Sequence, residues 1–409
     1  MILDAWKNWQ RPAHRPHKPD YRLLLPALVL LALGALIQSI LGPALVAGQV
    51  NELSVYYFFW RHVGAIVVGL MALYLGFKIN LRYWLKYSPH ILIAGIVVGL
   101  AAVFFGGGGD VRWLQFQGFS IQPAEILKLG FILVAAGYLW EARNADKTSF
   151  WEIIKANYVN IILLGIMGVL ILILQRDYGS TFVIVTAFLA MLWVSGVSAR
   201  FLWLLLLAVA LIGTLFIVIE PHRRERLAVY ANPTADCQDA GYQICQALIG
   251  VGSGGLTGRG FSGSIQIYGY LPEANNDSVF AIYAELAGFL GGTAFIGVLL
   301  YFLFLMRKIA TALEDPLMLI AVGFMTWVGV QSFVNIAGIL NLIPLKGITL
   351  PLVSFGGSSL VVILLTLGIL LQLSAYTIYG NERRIYQGGS RRRRDRRSRY
   401  AAGRSRRRN

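Results

Sequence analysis

Charge is scarce in this chain. Of its 409 residues only 14% are Asp, Glu, Lys or Arg, while 57% are hydrophobic. A soluble domain carries roughly 25% charged residues, so a water-surrounded globule is excluded and a chain that meets lipid is implied. Cysteine is scarcer: Cys237 and Cys245 are the whole supply, and they offer no zinc-ligand spacing. There is no convincing internal repeat, so the inverted-repeat signature of many transporters is missing. A cleavable leader is not expected either. The first apolar run is too long for one and more runs follow, so a retained helix is the expectation.

What the chain has is long apolar runs. Ten stand out, at 21–41, 57–77, 89–105, 122–140, 158–174, 180–197, 201–219, 279–306, 316–340 and 351–375. Several are long enough to cross a hydrocarbon core of about 30 Å as helix. The expected fold is an all-α, multi-pass membrane protein of about ten helices. It divides into a basic segment at 1–20, a membrane domain at 21–376 and an arginine-rich tail at 377–409. An even number of crossings puts both termini on one side. Lys7, Arg11, Arg15, Lys18, Arg22, Lys78, Arg82, Lys86, Arg307, Lys308 and the tail all fall on that side, which the positive-inside rule makes cytoplasmic. The net charge of +16 owes much to the tail between Arg391 and Arg408. Such a block cannot bury apolar surface. It reads as a topology anchor against anionic head groups, and no nucleic-acid-binding fold accompanies it.

Three connections face the other side, at 106–121, 220–278 and 341–350. The longest holds Arg223, Arg224 and Arg226, then Gly252, Gly254, Gly255, Gly258 and Gly260 around Arg259. Glycines let backbone amides approach a ligand, and successive N–H groups form anion-binding concavities. Basic residues on the disfavoured side point to an anionic ligand, against the plainer reading of interfacial anchoring. Cys237 and Cys245 lie on the same side, where oxidation is permitted; a local disulfide and two thiols are both open readings.

Asp277 ends the stretch Tyr270-Leu-Pro-Glu-Ala-Asn-Asn-Asp277 and precedes the run from 279. A carboxylate there is either a helix cap or a general base, hydrated enough to ionise and dry enough to act. Glu125 and Lys128 are three apart and share a helix face, so they can pair inside the membrane. Glu285, two turns beyond Asp277, must face the interior or a wet cavity. Gln175-Arg-Asp177-Tyr-Gly179 reads as a tight turn, and Leu350-Pro-Leu-Val-Ser354-Phe-Gly-Gly-Ser358-Ser359 as the opening of the last helix.

Together these segments resemble the SEDS proteins, the shape, elongation, division and sporulation family of peptidoglycan glycosyltransferases. The resemblance is carried, in order, by Arg112-Trp113 with Gln122-Pro-Ala-Glu125 and Lys128; Gln175-Arg-Asp177-Tyr-Gly179; Gly241-Tyr-Gln-Ile-Cys-Gln246 with Gly252-Ser-Gly-Gly-Leu; Leu271-Pro-Glu-Ala with Asp277; and Leu350 through Ser359. The stretch Pro344-Leu-Lys346-Gly-Ile-Thr349-Leu-Pro looks more like the division branch, FtsW, than the elongation branch, RodA. The pattern departs at Asn275-Asn276 before the aspartate, Ser278 after it, and Leu286, Ala124, Arg176 and Ile267.

The resemblance implies Asp277 as the catalytic carboxylate. Its implied substrate is lipid II, a disaccharide-pentapeptide on undecaprenyl diphosphate. Implied partners are a class B penicillin-binding transpeptidase and other division proteins. Arg223, Arg224, Arg226, Gln246, Gly254, Gly255, Arg259, Ser354 and Ser358 are the expected substrate and diphosphate contacts. Arg112, Glu125, Lys128, Asp177, Glu273, Glu285 and Lys346 are expected to support the site. A divalent cation, magnesium or manganese, is an expectation from related diphosphate chemistry; the sequence shows no carboxylate set to hold one. A flippase for the same lipid and a RodA-like elongation polymerase controlling cell shape are the competing readings, and a non-catalytic scaffold for the transpeptidase is a further one.

Overall fold

The computed structural model describes residues 17–47, 56–105, 111–116, 119–144, 167, 171, 174–219, 221–233, 237–239 and 241–378. A 3-10 turn at Tyr21–Leu23 leads into α1 (Leu24–Ala47), followed by α2 (Tyr57–Lys78), the short α3 (Leu81–Lys86) and α4 (Ser88–Phe105). β1 (Leu114–Phe116) and β2 (Phe119–Ile121) form a small antiparallel hairpin with Leu114 opposite Ile121. Then come α5 (Pro123–Asn144), α6 (Tyr178–Val194), α7 (Ala199–Ile219), α8 (Pro221–Ala231) and α9 (Tyr242–Ser253). The one-turn α10 (Gly260–Gly263), α11 (Val279–Ala312), α12 (Leu317–Ile339) and α13 (Gly357–Ser374) complete the chain.

Among the described residues, seven helices are long and apolar enough to cross a membrane, and two shorter apolar helices join them at Tyr178–Val194 and Ala199–Leu211. The expected crossing at 158–174 falls almost wholly outside the described residues, as do the two terminal segments apart from 17–20 and 377–378. The protein is a multi-pass, all-helical membrane protein. The hairpin in the 106–121 connection holds the only β-strands among the described residues.

In lipid, apolar side chains gain little by leaving the acyl chains for each other, so close packing and hydrogen bonds hold helices together. The α2–α13 pair shows the close packing. A Cβ on Gly76 would strike the Leu365 carbonyl, and one on Gly368 would strike the Leu73 carbonyl. Gly69 meets Leu364 and Gly76 meets the Leu365–Ile369 stretch, so the two helices run parallel. Helix α12 sits at the centre, with Leu319, Ile320, Ala321, Phe324 and Trp327 fully buried. Helix α7 is its opposite: Trp203, Leu204, Leu207 and Leu211 are all exposed, a face suited to lipid.

The N–H of His17 donates to the Ala375 carbonyl (2.9 Å) and that of Ile378 to the Ala312 carbonyl (2.7 Å), which gathers both ends of the described chain at one pole. The opposite pole carries the connections, where the Tyr230 hydroxyl donates to the Leu342 carbonyl (3.2 Å).

Two boundaries differ from the sequence expectation for identifiable reasons. The last helix starts at Gly357, not 351. Residues 351–356 form a turn in which Leu352 has φ 68° and Ser354 Oγ accepts from the Leu350 N–H (2.7 Å). The run from 279 extends to Ala312 but breaks at Gly288 (φ 67°, ψ −166°). There the N–H groups of Phe289 and Leu290 leave the helix for the carbonyls of Gly255 (2.8 Å) and Leu256 (3.1 Å).

Candidate active site

Asp277 lies at the connection pole, one residue before the N-cap of α11. That cap, Ser278, makes no side-chain capping bond. The three carbonyls leading to the helix are each pinned by a different part of the fold. The Asn275 carbonyl accepts from Gln38 Nε2 on α1 (3.1 Å) and from the Phe355 N–H (2.8 Å). The Asn276 carbonyl accepts from Ser354 Oγ. The Asp277 carbonyl accepts from Asn335 Nδ2 on α12 (2.7 Å), which also donates to the Ile348 carbonyl (2.7 Å). Leu271 and Ala274 anchor the segment below. Glu273, at φ 51°, turns outward and accepts from Asn276 Nδ2 (2.9 Å).

The backbone is thus fixed and the carboxylate is left lightly held. Asp277 Oδ1 receives only long bonds, from Gln243 Nε2 (3.4 Å) and Ser278 Oγ (3.5 Å). Oδ2 lies against Gly347, a position with φ 60° where a Cβ would come within 3.2 Å of it. Among the described residues, no salt bridge engages Asp277. Burial pushes its pKa up from 3.8 to about 6, and the nearby Glu273 charge pushes the same way. Its own backbone N–H, Ser278 and the more distant Arg226 pull down, and do not win. A cap would be tied to the helix amides; this carboxylate is a lightly bound group poised to exchange a proton near neutral pH.

Arg226 interacts electrostatically with Asp277 and with a second guanidinium, that of Arg112. Arg226 on α8 donates from Nη1 to the Leu345 carbonyl (3.4 Å). Its pKa is lowered first by partial withdrawal from water, then by Arg112, and raised by Asp277. Like charges brought together repel, and an anion between them relieves the repulsion. Arg224 is exposed on the same helix, and Lys346 is exposed beside Gly347. The side chain of Arg223 lies outside what the structure describes.

The other expected residues sit farther out and hold the frame. Lys128 bonds Glu125 Oε1 (2.7 Å) and Gln331 Oε1 (2.7 Å) and lies over the Trp327 ring (4.9 Å). Gln331 Nε2 donates to the Thr349 carbonyl (3.1 Å), one residue from Ile348. A buried polar chain therefore links α5 through α12 to the segment beneath Asp277. Asp177 caps α6 through the Ser180 N–H (2.9 Å) and receives Gln122 Nε2 (3.4 Å), while the Gln122 N–H donates to Ser358 Oγ (2.9 Å). Glu285 accepts from Ser264 Oγ and from the N–H groups of Ile265 (2.9 Å) and Gln266 (3.2 Å), so it shapes the loop. Gln246 accepts from Gln266 (3.0 Å).

The glycine-rich segment differs from the anion cradle that its composition suggests. The N–H groups of Gly254, Gly258 and Arg259 donate to the carbonyls of Gly250, Gly254 and Glu285. A Cβ on Gly254 or Gly258 would strike the carbonyl of Ala284 or Leu286. These glycines let the loop nest into the break in α11, and Gly255 supplies one of the acceptors there. Arg259 is tied down by its Nε to the Ser253 carbonyl (3.1 Å). Cys237 and Cys245 are joined as a disulfide at the start of α9. Sequence reasoning missed Gln38, Gln243, Gln331 and Asn335. The last two were detectable as uncharged amides four residues apart in an otherwise apolar run.

Among the described residues, no group of three or more His, Cys, Asp or Glu could hold a metal ion.

The family model FTSW_RODA_SPOVE, described as cell cycle protein, matches residues 21–379. The chain belongs to the FtsW/RodA/SpoVE family. The chain is similar to the probable peptidoglycan glycosyltransferase FtsW of Nitrosomonas europaea, 32% identical over 88% of this chain and 95% of that protein. It is also similar to the stage V sporulation protein E of Bacillus subtilis, 34% identical over 88% and 98%. Two solved structures share the family fold. One is a chain of a peptidoglycan synthase complex, with a TM-score of 0.71, 24% identity and coverage of 87% and 97%. The other is the rod shape determining protein RodA of Thermus thermophilus, with a TM-score of 0.63, 22% identity and coverage of 88% and 98%.

Proposed function

We propose that the chain is a peptidoglycan glycosyltransferase of the FtsW type, which polymerises lipid II into glycan strands at the outer face of the cytoplasmic membrane during division. The observation that carries this reading is the Asp277 carboxylate: buried, unpaired by any cation among the described residues, and raised in pKa to about 6. Asp277 takes the proton from the 4-hydroxyl of the acceptor sugar as that oxygen attacks the anomeric carbon of the donor. The bond to undecaprenyl diphosphate breaks on the opposite face, with inversion. Diphosphate is a good enough leaving group to need no carboxylic acid. Its growing negative charge does need stabilising, and Arg112, Arg224 and Arg226 supply the positive charge. Gln243 and Ser278 orient Asp277, and Asn335 fixes its backbone.

Both termini are then cytoplasmic, with the connection pole outside. The exposed helix faces meet lipid and the prenyl tail, and the partner is a class B penicillin-binding transpeptidase. Lipid II supplied to the purified chain in liposomes separates this reading from a flippase. Glycan strands are expected at the face where Asp277 lies. Lipid II movement across the bilayer without strand formation would overturn the assignment.

A further inference from the structure

The outer end of α2 holds two basic side chains that the mechanism leaves unused. Arg61, one turn into the helix, lies over the rings of Phe355 (5.7 Å) and Tyr57 (6.0 Å), and its Nη1 donates to the Tyr57 hydroxyl (3.4 Å). Among the described residues no carboxylate pairs with it. His62 is fully buried, and neither ring nitrogen has a hydrogen-bond partner. An ionisable residue inside a membrane helix is normally paired or functional, and a buried imidazole with both nitrogens idle is costly.

The opening turn of α13 faces the same place. Gly69 on α2 meets Leu364 on α13, and the helices run parallel. Two turns nearer the connection pole, seven residues from each, His62 is level with Gly357. The His62 and Phe355 rings are 6.0 Å apart, in keeping with that register. The N-cap of α13, Gly356, makes no side-chain capping bond, and the first helical bond runs from the Leu360 N–H to the Gly356 carbonyl (2.8 Å). The N–H groups of Gly357, Ser358 and Ser359 therefore have no helical acceptor. Space beside Gly357 is open, since a Cβ there would meet nothing within 4 Å. Two parallel helices also place both positive dipole ends at this pole. Unclaimed amides, a guanidinium without a carboxylate and an unpartnered imidazole together make an anion site, and phosphate chemistry fits it.

This site adjoins the Asp277 segment without sharing its arginines. Phe355, on which Arg61 rests, donates its N–H to the Asn275 carbonyl, two residues before Asp277. Joining two lipid-linked saccharides brings two diphosphates to one protein, the donor's at the reacting carbon and the acceptor's at the far end of its saccharide, so each calls for its own basic site. We propose that Arg61, His62 and the N-terminus of α13 hold the diphosphate of one lipid-linked substrate while Arg112 and Arg226 hold the other; this rests on the polymerase reading above.

The test counts undecaprenyl diphosphate bound to the full-length chain in nanodiscs, with radiolabelled ligand. Two molecules per chain are expected for the wild type. Arg61→Gln combined with His62→Phe should weaken the second binding event about tenfold or more, the scale of lost charge-assisted hydrogen bonds, and leave the first unchanged. The unchanged first event shows that the variant is folded. Arg61→Lys with His62 intact should recover most of the second event. Two equal events in the double variant, or a single event in the wild type, would overturn the proposal. So would displacement of the second molecule by equimolar phosphatidylglycerol, which would make this a head-group site. Asp277→Asn should keep both events whether or not Asp277 is the base, so failure of the catalytic reading is read separately.

Discussion

Replacing Asp277 by Asn should make the protein more stable while removing its activity. The fold holds this carboxylate where ionisation is disfavoured, with a pKa of about 6 against 3.8 for the free side chain. That difference of about 2 units, at roughly 1.4 kcal/mol each, means that ionised Asp277 costs about 3 kcal/mol of folding free energy. The sign follows from proton binding. Below about pH 3.8 the group is neutral in both states and costs nothing. Between 3.8 and 6 the unfolded chain ionises while the folded one does not, so stability falls as pH rises. Above about 6 the full cost is present. Asn keeps the shape and never ionises. The difference in apparent unfolding temperature between Asp277→Asn and wild type, measured in nanodiscs from pH 4 to 8, should therefore be near zero at the acid end. It should grow through pH 6 and then level off. A variant no more stable than wild type at pH 8, or a difference that does not shrink on acidification, would refute the reasoning.

Three further outcomes follow from the packing. Lys128→Ala leaves the buried Glu125 without its cation, so it should lower stability by about 3–5 kcal/mol, while Lys128→Ala with Glu125→Ala should recover part of that loss in a double-mutant cycle of unfolding measurements. Gly258→Ala sets a Cβ against the Leu286 carbonyl at φ 86°; the strain, of order 1–3 kcal/mol, should appear as faster amide exchange in 252–260 and around the break in α11. Asn335→Leu removes the donor shared by the Asp277 and Ile348 carbonyls; strand formation should fall by about tenfold or more, the scale of two lost buried hydrogen bonds, in a polymerisation assay in which lipid II binding stays unchanged.

The membrane class and the span positions were legible because apolar run length is a coarse signal that survives any packing arrangement. Nine of the ten expected runs have counterparts among the described helices. Local exceptions were not legible. The start of α13 moved from 351 to 357 because Ser354 bonds both Leu350 and the Asn276 carbonyl, a contact 78 residues away in sequence. The break at Gly288 depends on carbonyls offered by Gly255 and Leu256. The glycines at 254 and 258 looked like a ligand cradle because composition cannot distinguish backbone that approaches a phosphate from backbone that approaches another helix. Asp277 stood out as an acid at a helix mouth, yet the surroundings that bury and position it are assembled from α1, α8, α9 and α12 together. Gln331 and Asn335 were passed over because uncharged amides give no charge signal, although a polar residue inside an apolar run must find partners somewhere.

Whether Asp277 acts as the base in glycan polymerisation is decided by the strand yield from purified wild type and Asp277→Asn given lipid II between pH 5 and 8. The wild-type rate should rise with pH, pass half-maximum near 6 and then level off. The variant should bind lipid II normally yet lose at least about a hundredfold in rate. Strands of normal length and amount from Asp277→Asn at pH 7.5 would show that another group takes the proton.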